Sequence, residues 1–159
     1  MELLLIRHGK AESHGHPQGD GARALVERGH DQAARVGEFL RQQDLLPELV
    51  LTSPLVRARE TAEGVCRAAG IDPPVVEAWL ACGMSPREAL RELAAYRGSV
   101  RRVAIVGHEP DFSGLVEEVI GADPGTVRVK KASVIRLHVS PPQSRGLLEF
   151  NVWPAFLTA

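Results

Sequence analysis

Three short apolar runs, each cut off abruptly by polar or charged residues, constrain the fold of this chain more than any other feature. Leu3–Ile6 ends in Arg7, His8 and Gly9; Leu49–Thr52 ends in Ser53 and Pro54; the run "VAIV" ends in Gly107 and His108. Runs this short and uninterrupted suit strands buried on both faces. Between them lie longer segments with helical patterning. From Leu25 to about Gln43, Ala33, Val36, Phe39 and Leu40 recur at helical intervals. "SPLVRARETAEGVCRAAG" offers Ser53 as cap, Pro54 at the first helical position and Gly70 at the exit. "SPREALRELAAYRG" repeats that grammar with Ser85, Pro86 and Gly98, and Pro110–Ile120 reads as a further helix. Ser133–Val139 and Leu147–Trp153 alternate as two closing strands, with Pro141, Pro142 and Gly146 marking the turn between them. Residues 11–24, rich in Gly, His and polar groups, read as a loop. Strands alternating with helices predict an α/β fold, a three-layer sandwich with a mostly parallel central sheet flanked by helices. The 159 residues carry no repeat, low-complexity tract or linker, which predicts one domain over 1–159.

Composition narrows the function classes. The chain is 44% hydrophobic and 25% charged with a formal net charge of −1. That balance argues against nucleic acid held on a broad basic surface and leaves room for a small basic pocket. No apolar run approaches a membrane span. "MELLLIRHG" has no basic leader region and too short an apolar stretch for a signal peptide, so the expected location is the cytoplasm. Cys66 and Cys82 make neither a zinc framework nor a disulfide scaffold and are expected to be reduced thiols. Cys66 shares a helical face with Ala58, Ala62, Val65 and Ala69, a core pattern.

In an open parallel sheet, ligands bind beyond the carboxyl ends of the strands. The strand assignments therefore bring Arg7 and His8, Gly107 and His108, and Ser53 with Arg57 to one rim. Guanidinium forks match phosphate oxygens in pairs, and helix first-turn amides add partial positive charge. A histidine in such a nest can attack phosphorus if its ring is neutral, and neighbouring arginines disfavour the imidazolium. A carbonyl near Gly9 would accept the other ring N–H and fix the tautomer. Gly9 itself would let the chain pass close to a phosphate.

"LIRHG", "SPLVRARET" and "VGHEPD" resemble the motifs of the histidine phosphatase superfamily, which includes phosphoglycerate mutases and acid phosphatases. The short length, with "ARALVERG", "VVEAWLACGMSP" and "KKASVIRL", is similar to the compact SixA-like phosphohistidine phosphatase branch, over essentially the whole chain. The resemblance implies a phosphoglycerate mutase-like fold and no metal or other cofactor. It implies His8 as the phosphorylated nucleophile, Arg7 and Arg57 as binders of the phosphoryl oxygens, and His108 as the second histidine on the phosphate. Water attack on phospho-His8 would complete the hydrolysis. Val26 stands where many relatives carry Thr or Ser, which removes a side-chain cap from the following helix. Larger relatives place a glutamate acid between the motif regions; Glu77 is the nearest candidate here. An imidazole leaving group needs such an acid less than an ester does.

The remaining polar residues have plainer readings. Arg57 has an alternative as a surface partner of Glu60 or Glu63. His14 and His16 read as solvated loop residues rather than a metal pair, though with Arg23 they are placed to line an entrance. His30 and His138 read as surface or structural. Lys130 and Lys131 read as a solvated strand edge rather than a substrate contact. Glu109 and Asp111 suit a helix start. The expected activity is hydrolysis of phosphohistidine on a protein, a phosphoamide or phosphoric monoester hydrolase reaction. The alternatives are a phosphatase of small phosphate esters and a non-catalytic phosphate-recognition module; a mutase is disfavoured because it must exclude water. Expected partners are a phosphorylated protein or small phosphorylated substrate, with no nucleic acid and no membrane.

Overall fold

The computed structural model describes residues 1–157. Its six strands are β1 (Glu2–Arg7), β2 (Leu49–Thr52), β3 (Val75–Val76), β4 (Arg102–Gly107), β5 (Val134–His138) and β6 (Leu147–Val152), ordered β3-β2-β4-β1-β5-β6 across one sheet. β4 pairs in parallel with β1 and β2, and β2 in parallel with β3. β5 is antiparallel to both β1 and β6, so β5 alone opposes the common direction. The fold is the α/β, mostly parallel arrangement predicted from the apolar runs.

Period-two alternation explains why β1 is apolar throughout. Leu3 and Leu5 enter one core with Leu51, Val103 and Ile105. That core is closed by Leu90 and Leu93 of α3 (Pro86–Leu93) and by Phe112 and Leu115 of α4 (Asp111–Ile120). Leu4 and Ile6 enter the other core with Val50, Ala104 and Val106. Ala33, Val36 and Leu40 of α1 (Glu27–Gln42) and Ala58, Ala62 and Val65 of α2 (Val56–Ala69) cover that face. Cys66 is buried there as expected. Two helices on each side of the sheet make the three layers.

Helix ends differ from the sequence reading in one instructive place. Ser53 does not cap α2, and Pro54 is not its first residue; the helix begins at Val56, with Leu55 at the cap position and no side-chain cap. The Ser53 hydroxyl instead accepts from the Leu55 N–H at 3.2 Å and bonds His108 Nε2 at 2.7 Å. The serine is drawn into the rim. Ser85, by contrast, does cap α3, accepting from the Glu88 N–H at 3.2 Å, and Pro86 opens that helix. The chain then tightens into a 3₁₀ turn, Ala94–Tyr96, before Gly98. Gly70 ends α2 in the left-handed region at φ 72°, where a side chain would be strained. Val26 precedes α1 without a side-chain cap. β3 has no counterpart in the sequence reading: it is two residues long, with Val75 46% and Val76 51% exposed, too short and too bare for a pattern. Among the described residues no helix is long and apolar enough to cross a membrane.

Candidate active site

The register of the sheet builds the site. Arg7 of β1 pairs with Gly107 of β4, so His8 and His108 leave adjacent strands at the same level. The His8 N–H donates to the Gly107 carbonyl at 3.0 Å, and the Ser53 N–H to Val106 at 3.0 Å, which levels the end of β2 with the other two. The two imidazoles lie 5.3 Å apart between centroids, tilted by 54°. Both are buried.

His8 is held in one tautomer. Its Nδ1 lies 2.8 Å from the Gly9 carbonyl, which can only accept, so Nδ1 carries the proton. Nε2 then presents a lone pair, and Arg57 Nε donates to it at 3.3 Å. Burial pushes the His8 ring down to about 3, with His108, Arg57 and Arg7 adding repulsion against the bond to Gly9. Burial likewise lowers His108 to about 4, reinforced by Arg57 and partly opposed by Asp20. Both rings are neutral at physiological pH.

Arg7 donates through Nη1 to the Val129 carbonyl at 2.8 Å, and its Nε is buried without a protein partner. Arg57, at the second position of α2, points into the rim rather than pairing with Glu60 or Glu63. Its Nη1 donates to the Asp20 carbonyl at 2.9 Å and its Nη2 to Asp20 Oδ2 at 3.1 Å. Asp20 Oδ1 accepts from Arg23 Nε at 2.8 Å, so one loop carboxylate joins two buried guanidiniums. Burial alone would raise the Asp20 carboxyl, but Arg23 and Arg57 outweigh it and hold it below the usual carboxylate range.

The structure thus gathers Arg7, His8, Arg57 and His108, and ties Arg23 to them through Asp20. Glu77 is not gathered with them: it follows edge strand β3, and its carboxylate accepts from the Tyr96 hydroxyl at 3.2 Å. His14 is exposed and lies 3.5 Å from Asp20, while His16 lies 3.7 Å from Glu12. Among the described residues no three His, Cys, Asp or Glu side chains converge as a metal-binding group. Lys130 and Lys131 lie in the segment beside Arg7, and Ala132 next to them is left-handed at φ 57°. That turn aims the Ala132 N–H at the carbonyls of Arg7 and His8, 3.0 and 3.2 Å away.

Gly9 has a further reason to be small. A side chain there would meet the Gly29 carbonyl at 2.8 Å, so the glycine allows close approach to α1. Sequence reading also missed Asp20, hidden in a polar loop whose D-G dipeptide signals only a turn. It assigned no role to Thr61, although the residue closes the "SPLVRARET" motif. Thr61 is buried, accepts from the Gly9 N–H at 3.0 Å and donates to the Arg57 carbonyl at 2.7 Å. One hydroxyl therefore couples the His8 loop to the Arg57 helix.

Residues 3–82 match the sequence pattern of the histidine phosphatase superfamily, branch 1. The chain belongs to that superfamily. An uncharacterized protein of Picosynechococcus sp. (strain ATCC 27264 / PCC 7002 / PR-6) is 34% identical over 144 residues, covering 86% of this chain and 84% of that protein. A 2,3-bisphosphoglycerate-dependent phosphoglycerate mutase of Corynebacterium diphtheriae is 41% identical over 81 residues, which is 49% of this chain but 33% of the mutase. The structure of the protein histidine phosphatase SixA complexed with tungstate superposes with a TM-score of 0.86 over 99% of this chain and 100% of that one, at 24% identity. Superfamily membership makes this chain an enzyme of the phosphatase–mutase class, on a SixA-like fold.

Proposed function

We propose that this protein is a metal-independent phosphatase that hydrolyses phosphohistidine on a protein through phospho-His8. The observation that carries the reading is the His8 tautomer. Nδ1–H is tied to Gly9, and Nε2 is a neutral lone pair beside the Arg57 guanidinium. His8 Nε2 attacks the phosphorus, a P–N bond forms to His8, and the substrate P–N bond breaks. The leaving imidazole takes its proton from water or its own protonated ring. Water then attacks phospho-His8, the new P–N bond breaks, and inorganic phosphate leaves. Arg7 and Arg57 neutralise the phosphoryl oxygens, and His108, linked to Ser53, donates to them as negative charge develops. Arg23 acts through Asp20, shaping the approach to Arg57.

The phosphohistidine reading draws on two supports. The relative in tungstate complex, a protein histidine phosphatase, shares the whole fold at nearly equal length. Glu77 bonds Tyr96 and no side chain of the histidine cluster, and the labile P–N bond is the linkage that tolerates the lack of a dedicated acid best. Rapid quenching after mixing with a phosphorus-labelled phosphohistidine peptide tests the reading. Label is expected on His8, and a His8→Ala variant is expected to release no phosphate above background. Full turnover by that variant defeats the mechanism, and turnover of small esters far above that of the peptide shifts the substrate to the ester class.

A further inference from the structure

A groove of about 690 Å³ opens beside the histidine cluster and shares Arg7 with it. Lys10, Arg28, Arg35, Arg128, Lys130 and Lys131 line it. None of these six cations forms an ion pair among the described residues. Asp31 is the single acidic side chain on the lining. On a chain with a net charge of −1, this is a local concentration of uncompensated positive charge.

The groove is also partly organised. Lys130 Nζ sits 3.9 Å over the centroid of the Trp153 ring, a cation–π contact that holds the ammonium in place. Lys131 is half-buried, and burial together with Lys10, Arg7, Arg23 and Arg57 lowers its ammonium from the usual value. Its neighbours in charge thus include the arginines of the histidine cluster, so the groove and the catalytic rim share one positive field. Arg28 and Arg35 are two turns apart on α1, roughly 10 Å along the helix. That spread exceeds what one phosphate can bridge and suits several anionic side chains in a row.

We propose that this groove docks a carboxylate-rich segment flanking the phosphohistidine of the protein substrate, an inference that rests on the phosphohistidine reading above. The acidic segment lies along α1 and the 128–131 segment while the phosphoryl group reaches His8 past Arg7. Docking by exposed charges lowers KM and leaves kcat unchanged, because none of the groove cations except Arg7 is in the reacting cluster. A nucleic acid is the weaker occupant, since the remaining surface offers no net positive charge to continue a phosphate backbone.

The test uses two phosphohistidine peptides that differ only in flanking glutamates or glutamines. The whole protein is compared with a triple variant, Arg35→Ala, Arg128→Ala and Lys130→Ala, all exposed positions. The unaltered protein is expected to show about a tenfold lower KM for the glutamate peptide, and the triple variant none of that preference at unchanged kcat. Turnover of free phosphohistidine is expected to be the same in both. Equal KM values in the unaltered protein, or a preference that survives the triple variant, overturn the docking. Lys130→Glu, a single exposed change, is expected to move KM in the same direction. Failure to release phosphate from either peptide defeats the phosphohistidine reading alone. The groove is then read by fluorescence anisotropy of the unphosphorylated glutamate peptide, expected to bind about tenfold more weakly to the triple variant and to weaken with salt. Identical affinity, or an oligonucleotide that binds more tightly than the peptide, overturns the docking.

Discussion

Asp20 and Arg57 form an ion pair at 3.1 Å in which the arginine is buried and the carboxylate is 54% exposed. A solvent-facing carboxylate thus holds a guanidinium that the proposed chemistry assigns to phosphate. On that proposal, an incoming phosphoryl group competes with a carboxylate already hydrogen-bonded to Arg57 and Arg23.

Removing that competitor strengthens anion binding. Asp20→Asn is expected to tighten inorganic phosphate about fivefold to tenfold, the equivalent of about 1 kcal/mol for one partly exposed charge pair. Isothermal titration of the unaltered and variant proteins measures it. Weaker binding in Asp20→Asn would show that the carboxylate orients Arg57 for phosphate instead of competing for it.

Arg57 contributes direction as well as charge. Its Nε faces His8 while Nη1 and Nη2 face Asp20, a division that needs the planar fork. Arg57→Lys is expected to lose most of the activity that Arg57→Ala loses, with kcat/KM down about 10²–10³-fold in each. Steady-state phosphate release checks this, and near-normal activity in the lysine variant contradicts it.

The two neutral histidines make folding sensitive to acid. In the folded chain His8 ionises near about 3 and His108 near about 4, against an ordinary value near about 6.5 when unfolded. Between these values the unfolded chain binds more protons, so stability is fully present above about pH 6.5 and falls as pH drops toward 4. Each ring contributes a slope of about 1.4 kcal/mol per pH unit through that window. Urea midpoints followed from pH 7 to pH 4 should fall accordingly, with a shallower slope in His108→Asn. The same depression keeps His8 unprotonated, so its ionisation is not expected to produce an inflection in kcat/KM near pH 6.5.

Thr61 offers a test of coupling between loop and helix. Thr61→Val keeps the shape, removes the acceptor of the Gly9 N–H, and leaves that buried donor unpaired. The expected loss is about 1–3 kcal/mol of stability, with Thr61→Ser close to the parent. Chemical denaturation of the two variants compares them. Equal stability of all three proteins would remove the coupling.

Much of this arrangement was legible because it depends on local patterns. The apolar runs ending at Arg7, Thr52 and Gly107 correspond to three neighbouring parallel strands, and their common polarity brings His8, Ser53 and His108 to one rim. What stayed hidden depends on long-range contacts. Ser53 looks like a helix cap in its own neighbourhood and becomes the partner of His108 only once β2 and β4 pair. Gly9 needs to be small because of Gly29, twenty residues on, a reason no local reading supplies. Asp20 reaches Arg57 across 37 positions from a loop without periodicity. Glu77 shows the converse: its place in the chain suited an acid, but the short edge strand β3 turns it toward Tyr96.

The pairing of β1 has a consequence for biosynthesis. The strand that leads into His8 is made before the strands it pairs with, since β4 and β5 lie 100 and more residues downstream. A nascent chain leaving the ribosome therefore carries Leu3–Ile6 before their sheet partners exist, and the two imidazoles can meet only once β4 has been made and has paired with β1.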